Sequence, residues 1–307
     1  NKTNFMTKTW VIVVGAMICC TLWGSAFPCI KIGYRMMEIA AADTASQILY
    51  AGYRFTLAGV LTIVLGSILQ RKILLPKRSA IGKIGLLSLL QTVLQYLFFY
   101  IGLAHTTGVK ASIIEAVSTF VAILVAGYLF HQETVTSRKM LGCLIGFAGV
   151  VLVNVAGSGM DFHFSPAGDG CILLSTVAYA FSSVCMKRFS QKEDPVMLSG
   201  YQFILGGIVM IACGAAMGGH LKAFTASAAA LLIYMAMISA VAYSLWGMLL
   251  KYNPVSKVTV FGFMNPVIGV ILSALLLNET ESLGVSSVLA LGLVCVGIYI
   301  VNAKAKE

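Results

Sequence analysis

Charge is what this chain has least of. Only 10% of its 307 residues are Asp, Glu, Lys or Arg, while 59% are hydrophobic and the mean hydropathy is +0.93. A soluble domain is roughly 25% charged, and no soluble fold hides that much apolar surface. Long polar segments are missing too, which leaves no room for a separate soluble domain beside the apolar stretches. Basic residues outnumber acidic ones, 21 to 11. They lie between apolar stretches rather than in an aromatic-interleaved patch, which argues against nucleic acid as a partner and for topology signals.

Catalytic and metal-binding patterns are equally scarce. All eight cysteines (Cys19, Cys20, Cys29, Cys143, Cys171, Cys185, Cys213, Cys295) fall within apolar stretches, so they form neither a disulfide framework nor a metal motif. There is no HExxH and no glycine-rich phosphate loop. The four histidines, His105, His131, His163 and His220, lie at span ends or in joints, and an aspartyl protease needs two acids within spans where this chain has one. These absences weigh against an intramembrane enzyme, and nothing calls for a cofactor or a metal. A passive channel would show rings of like polar residues or a selectivity loop, and neither is visible.

What is present is ten apolar stretches of about the ~20 residues that a membrane helix requires. Breaks at charge clusters, Gly and Pro place them at Thr9–Ile32, Gln47–Leu69, Gly82–Ala104, Val109–Phe130, Met140–Val155, Ala167–Met186, Pro195–Met217, Ala228–Leu250, Val258–Leu277 and Leu283–Val301. The first carries Trp23 and exceeds a signal-peptide core, so it reads as a retained span. With the N-terminus inside, 16 of the 21 Lys and Arg become cytoplasmic, Lys304 and Lys306 among them, and Lys31, Arg35, Arg54, Lys110 and Lys222 lie on or toward the exterior. Both termini are therefore expected in the cytoplasm.

Stretches six to ten echo one to five. Trp23, Cys29 and Lys31 recur as Tyr179, Cys185 and Lys187 at an offset of 156. Tyr53-Arg54-Phe55 with Gly59 recurs as Tyr201-Gln202-Phe203 with Gly207 at 148, as do Gly149 and Asn154 in Gly297 and Asn302. At 146, Tyr100 pairs with Trp246 and Glu133-Thr134 with Glu279-Thr280. A unit with an odd number of spans turns over when duplicated, so an all-α membrane protein of two inverted five-helix repeats, residues 1–157 and 158–307, is expected, N-in and C-in. That construction belongs to carriers working by alternating access.

Trp23-Gly24-Ser25-Ala26-Phe27, Arg54-Phe55, and Pro266 followed thirteen residues on by Glu279-Thr280 resemble the drug/metabolite transporter (DMT) superfamily, specifically its EamA-like ten-span members. The resemblance covers essentially the whole chain. It implies a multi-pass carrier of small organic metabolites in a bacterial plasma membrane, with export as its direction. The chain departs from the family at two places. Phe120 stands where Pro266 has its counterpart, and the usual Leu-Gly-Glu reads His131-Gln132-Glu133 and Leu277-Asn278-Glu279.

Of the eleven acids only Glu115 lies in the interior of a span, the rest sitting in joints, at span ends or in the tail; an ionised carboxylate there must face a cavity, find a partner or take up a proton. Lys110, five residues away, is turned about 140° around the helix. Arg54 is the better partner, since both it and Glu115 fall ~10 Å below the outer surface at 1.5 Å per residue. Two readings stay open for this couple: a buried pair fixing spans two and four, or a substrate and coupling site with protons as the candidate coupling ion. The aromatics Trp23, Tyr53, Tyr96, Tyr100, Tyr179, Tyr243 and Trp246 lie away from most span ends. They read as the wall of a cavity or as helix packing. Gln202 and Asn265, with Ser118 and Thr119 on span four, add polar groups at cavity depth, and Pro28 and Pro266 are candidate bends. Two ligands fit: an amphipathic metabolite such as an amino acid held among aromatics with Gln202 and Asn265, or an organic cation exchanged for protons at Glu115. Besides its small-molecule substrate the chain meets membrane lipid. It acts as a monomer or homodimer, Gly142-x-x-x-Gly146 being a weak pointer to the latter. Asn278-Glu279-Thr280 fits a glycosylation triplet but hugs the membrane and is discounted.

Overall fold

The computed structural model describes residues 2–158, 163–276 and 283–303. The expected motifs at Leu277–Thr280, with the glycosylation triplet, and Lys304 and Lys306 lie outside them. Among the described residues there is no strand. After a helical turn at Lys2–Met6 come ten helices long and apolar enough to cross a membrane. These are α1 (Thr9–Met36), α2 (Thr44–Leu69), α3 (Arg78–Leu103), α4 (Gly108–Leu129), α5 (Ser137–Ala156), α6 (Pro166–Phe189), α7 (Pro195–Ala216), α8 (Ala226–Tyr252), α9 (Val255–Leu276) and α10 (Val285–Asn302).

Several helices start earlier than the apolar pattern, because polar residues cap them. Asp43 accepts from the Ser46 N–H at 3.1 Å ahead of α2, and hydrogen bonding from Ser46 holds its carboxyl below the usual range. Thr107, Thr136, Ser165, Asp194 and Thr225 do the same for α4, α5, α6, α7 and α8. Each satisfies an N–H that the first turn leaves without a partner. At the other end of a helix, the Lys187 ammonium donates to the carbonyls of Leu250 (3.0 Å) and Asn253 (2.8 Å), closing the end of α8. Lys187→Met is expected to leave those acceptors unpaired at a cost of about 1–3 kcal/mol, measured as a lowered melting temperature of the purified protein.

The packing is symmetric under exchange of helices one to five for six to ten. The most extensive interfaces are α2 with α7 and α5 with α10, each joining a helix to its counterpart, and α1 against α8 and α9 is answered by α6 against α3 and α4. The exchange extends to single residues. A β-carbon on Gly52 would lie 3.1 Å from the Gly207 carbonyl oxygen, and one on Gly59 2.6 Å from that of Gly200. A shift of 148 converts the first contact into the second. The same shift converts Gly142 against Gly297 into Ala290 against Gly149, both 2.8 Å from β-carbon to carbonyl oxygen. In both interfaces residue numbers rise on one helix as they fall on the other, so the counterparts run antiparallel. Phe55 and Phe203, counterparts in the same register, stack at 5.4 Å with their planes 4° apart.

Gly142 and Gly146 are used within the bundle: Gly142 meets Gly297 and Val301, and Gly146 meets the Phe263 ring. The motif is therefore already occupied by internal packing. Helix irregularities fall beside one of the two candidate bends and also away from both. Pro28 lies inside an uninterrupted α1. Proline-free α4 breaks at Val117, whose N–H bonds Ile114 three residues back, and α9 tightens into a 3₁₀ turn at Val260–Phe263 just before Pro266. Val117 and Phe263 are counterparts at an offset of 146, so both halves interrupt the same helix at the same level.

Candidate functional site

The broken segments of α4 and α9 face a cavity of about 200 Å³ walled by α1, α2, α3, α4, α6, α8 and α9. Of the residues expected at the site, it gathers Trp23, Arg54, Tyr96, Tyr100, Glu115, Ser118, Thr119, Tyr179, Tyr243, Trp246 and Asn265. Two stand elsewhere. Tyr53 is 43% exposed on the outside of the bundle, since one residue along a helix is a turn of about 100° from the inward Arg54. Gln202 is fully buried behind the wall between α7 and α3, where its Oε1 accepts from Thr92 Oγ1 at 2.6 Å. Its role is to join helices, and the amide expected to touch a ligand is not on the cavity.

The aromatic wall is continuous. Trp23 meets Tyr243 at 5.2 Å and Trp246 at 5.0 Å edge to face, Phe55 meets Tyr96 at 4.4 Å, and the Tyr96 and Tyr243 hydroxyls hydrogen-bond at 2.8 Å.

Arg54 and Glu115 share the cavity but do not pair, contrary to the couple expected from their depth. No ion pair or hydrogen bond joins them. Arg54 is only 5% exposed, its guanidinium carbon lies 4.4 Å over the Phe55 ring, and its electrostatic neighbours are the hydroxyls of Tyr100, Tyr96, Tyr34 and Tyr243. Tyr96 stands within electrostatic reach of both charges. Lys110 points away, as its helical angle requires, to Asp169 at 3.4 Å and the His163 carbonyl. Around the cavity, the buried Nε of Arg54, the indole N–H groups of Trp23 and Trp246, and the side-chain oxygens of Gln95 and Asn265 have no protein partner. Native interiors leave few such atoms, and here five belong to residues that line one space.

Sequence reasoning missed Gln95, Ser112, Ser183, Ser239 and Thr259, which also line the cavity. A helical-face rule would have found three of them: Ser112 is three residues before Glu115, Ser183 four after Tyr179 and Ser239 four before Tyr243. Asp169, one of the span-end acids, was not expected at the site. It is buried and accepts from Thr106 Oγ1 (2.5 Å) and the Ser165 N–H (2.9 Å), tying the α3–α4 connection to the start of α6.

The cavity is closed toward the face that holds Met6 and Asn302, both of which bond to the α8–α9 junction. Thr119 Oγ1 donates to the Thr259 carbonyl at 3.1 Å and Cys20 to that of Phe261 at 3.2 Å. Glu133 accepts from Ser256 N (3.1 Å) and Oγ (2.9 Å) and pairs with Lys139 at 3.5 Å. Toward the opposite face the lining continues through Phe27, Ile30, Phe99 and Ser112. No group of three His, Cys, Asp or Glu able to hold a metal occurs among the described residues.

The family model described as the EamA-like transporter family matches twice, at residues 10–155 and 166–303. An "uncharacterized transporter" of Archaeoglobus fulgidus is 28% identical over 97% of this chain and 99% of that protein. The "uncharacterized inner membrane transporter YedA" of Escherichia coli K12 is 28% identical over 92% of this chain and 90% of its own length. A crystal structure superposes with a TM-score of 0.78 at 16% identity, covering 95% of this chain and 96% of the other, and so shares the fold.

Proposed function

Because the chain belongs to the EamA-like transporter family, a group within the DMT superfamily, we propose that it is a secondary active carrier of a small zwitterionic, amino-acid-like metabolite. The observation that carries this reading is that one guanidinium and one carboxylate face the same aromatic cavity without neutralising each other. A buried charge without a partner is costly, and a zwitterion satisfies both at once, its carboxylate on Arg54 and its ammonium on Glu115. Aromatic walls then accept the side chain, and the unpartnered Asn265 and Gln95 oxygens orient it.

The two halves, 1–157 and 158–307, act in this reading as inverted repeats that rock about the cavity. The double match of the family model and the exchange-symmetric packing support it. Glu133 with Ser256, and Thr119 with Thr259, bolt the face of the termini, which we read as cytoplasmic, in a plasma membrane. Asp169 with Thr106 and Lys110 ties the opposite face. Export is the direction we assign, in keeping with the family resemblance. A second reading, an organic cation exchanged for protons, keeps its basis in Glu115, which has no cationic partner among the described residues.

Counterflow in proteoliposomes tests the proposal. Labelled neutral amino acids are expected to show saturable, trans-stimulated exchange. Exchange of simple amines with no movement of amino acids would favour the second reading, and unsaturable flux would exclude a carrier. Within the site, Trp23→Ala removes ring contacts to Tyr243 and Trp246 and is expected to raise the half-saturation concentration about tenfold, measured in the same assay.

A further inference from the structure

A second cleft, of about 870 Å³, lies between α2, the start of α7 and α8 on the face of the termini. Its wall is apolar: Leu65 from α2 and Val241, Leu245 and Met248 from α8. Its rim is basic, with Lys2, Lys72, Lys192 and Lys251. Two acids also border it, and both are already engaged. Glu193 pairs with Lys83 at 3.4 Å, while Asp194 caps α7 and accepts from Gln70 Nε2 at 2.6 Å. None of the four rim lysines has an acidic partner among the described residues, and Lys251 lies 5.5 Å over the Tyr252 ring.

We propose that this cleft binds one anionic phospholipid, headgroup among the lysines and acyl chain along α8. The stretch of α8 from Ala240 to Lys251 runs about 16 Å into the bundle at 1.5 Å per residue, a length that suits a chain and not a small anion. Charge complementarity selects an anionic headgroup, since basic pockets between helices at the interface are how membrane proteins hold such lipids. A free phosphate would use the lysines and leave the apolar wall unexplained. The position also has a consequence for the carrier. Val241, Leu245 and Met248 line the cleft on one side of α8, and Tyr243 and Trp246 line the cavity on the other. The lipid therefore backs the helix that supplies two rings of the aromatic wall.

The test uses the full-length protein, delipidated in detergent, titrated with phosphatidylglycerol or phosphatidylcholine of identical chains and followed by melting temperature and native mass spectrometry. Phosphatidylglycerol is expected to raise the melting temperature by on the order of 5 °C with one tightly retained molecule, and phosphatidylcholine and inorganic phosphate to leave it unchanged. The combined Lys72→Gln, Lys192→Gln and Lys251→Gln variant should lose the shift. So should Leu245→Trp, which fills the apolar wall with every lysine in place. An equal shift from phosphatidylcholine, a full shift from inorganic phosphate, or retention of the phosphatidylglycerol shift in Leu245→Trp overturns the proposal.

Discussion

Glu115→Gln is expected to lower the apparent affinity for a zwitterionic substrate about thirtyfold or more while leaving the fold intact. The replacement keeps shape and hydrogen-bonding capacity and removes only the negative charge that an ammonium would meet. Losing one partner of a buried, hydrogen-bonded charge pair costs about 2–5 kcal/mol, and that range sets the expected fall. Arg54→Gln should produce the mirror result: weak binding of amino acids, with amines that lack a carboxylate less affected. The same Glu115 variant separates the two readings of the site. If Glu115 carries protons, a pH gradient ceases to drive transport in Glu115→Gln while exchange at equal pH survives. If it serves only to hold the substrate ammonium, both modes fall together. Undiminished, gradient-driven transport of amino acids in Glu115→Gln would remove Glu115 from the mechanism altogether.

Much of this site could be read from the chain because a membrane penalises anything polar that lacks a purpose. Glu115, Arg54 and Asn265 stood out against apolar runs, and the inward tyrosines and tryptophans stood out against helix ends. Azimuth was harder. Tyr53 and Arg54 adjoin in sequence and face opposite environments, and depth alone paired Arg54 with Glu115 although depth says nothing of the gap between two helices. Gln202 shows a further limit: the amide expected to match Arg54 at an offset of 148 is a clasp on Thr92, so matched position does not carry a matched role. The ten spans were legible because hydropathy integrates over twenty residues. Their first turns were not, because caps such as Asp43 and Thr225 are polar and look like loop.

Helix interruption was legible only in part, since proline is one of several ways to obtain it. Pro266 follows a tightened turn, yet α4 breaks at Val117 with no proline and α1 passes Pro28 without a break. What α4 and α9 share is their level in the bundle and their closure beneath the cavity, where Thr119 reaches the Thr259 carbonyl. In the proposed alternating-access reading, a break at that height would let the far segments swing while the near segments stay bolted.

The bundle itself is expected to be most sensitive at Gly59. A β-carbon there would stand 2.6 Å from the Gly200 carbonyl oxygen and equally close to the Ile204 backbone nitrogen, so no side-chain rotation relieves the clash. The helices α2 and α7 would have to separate, and with them the Phe55–Phe203 stack and the seat of Arg54. Lipid tails are as apolar as the residues they would replace, so close backbone approach and the packing it permits are what hold such helices together. Gly59→Leu is therefore expected to cost about 3 kcal/mol or more, at or beyond the upper end of core overpacking, read as a collapse of the folded fraction on size exclusion. Gly292→Leu supplies the matched control: its β-carbon meets nothing within 4 Å, and the variant should elute and melt like the parent. Since the exchange of halves maps Gly59 onto Gly207, whose β-carbon would lie 2.5 Å from the Thr56 backbone nitrogen, Gly207→Leu should fail in the same way. Normal folding of either glycine variant would mean that α2 and α7 do not meet as counterparts, and the inverted-repeat reading would go with them.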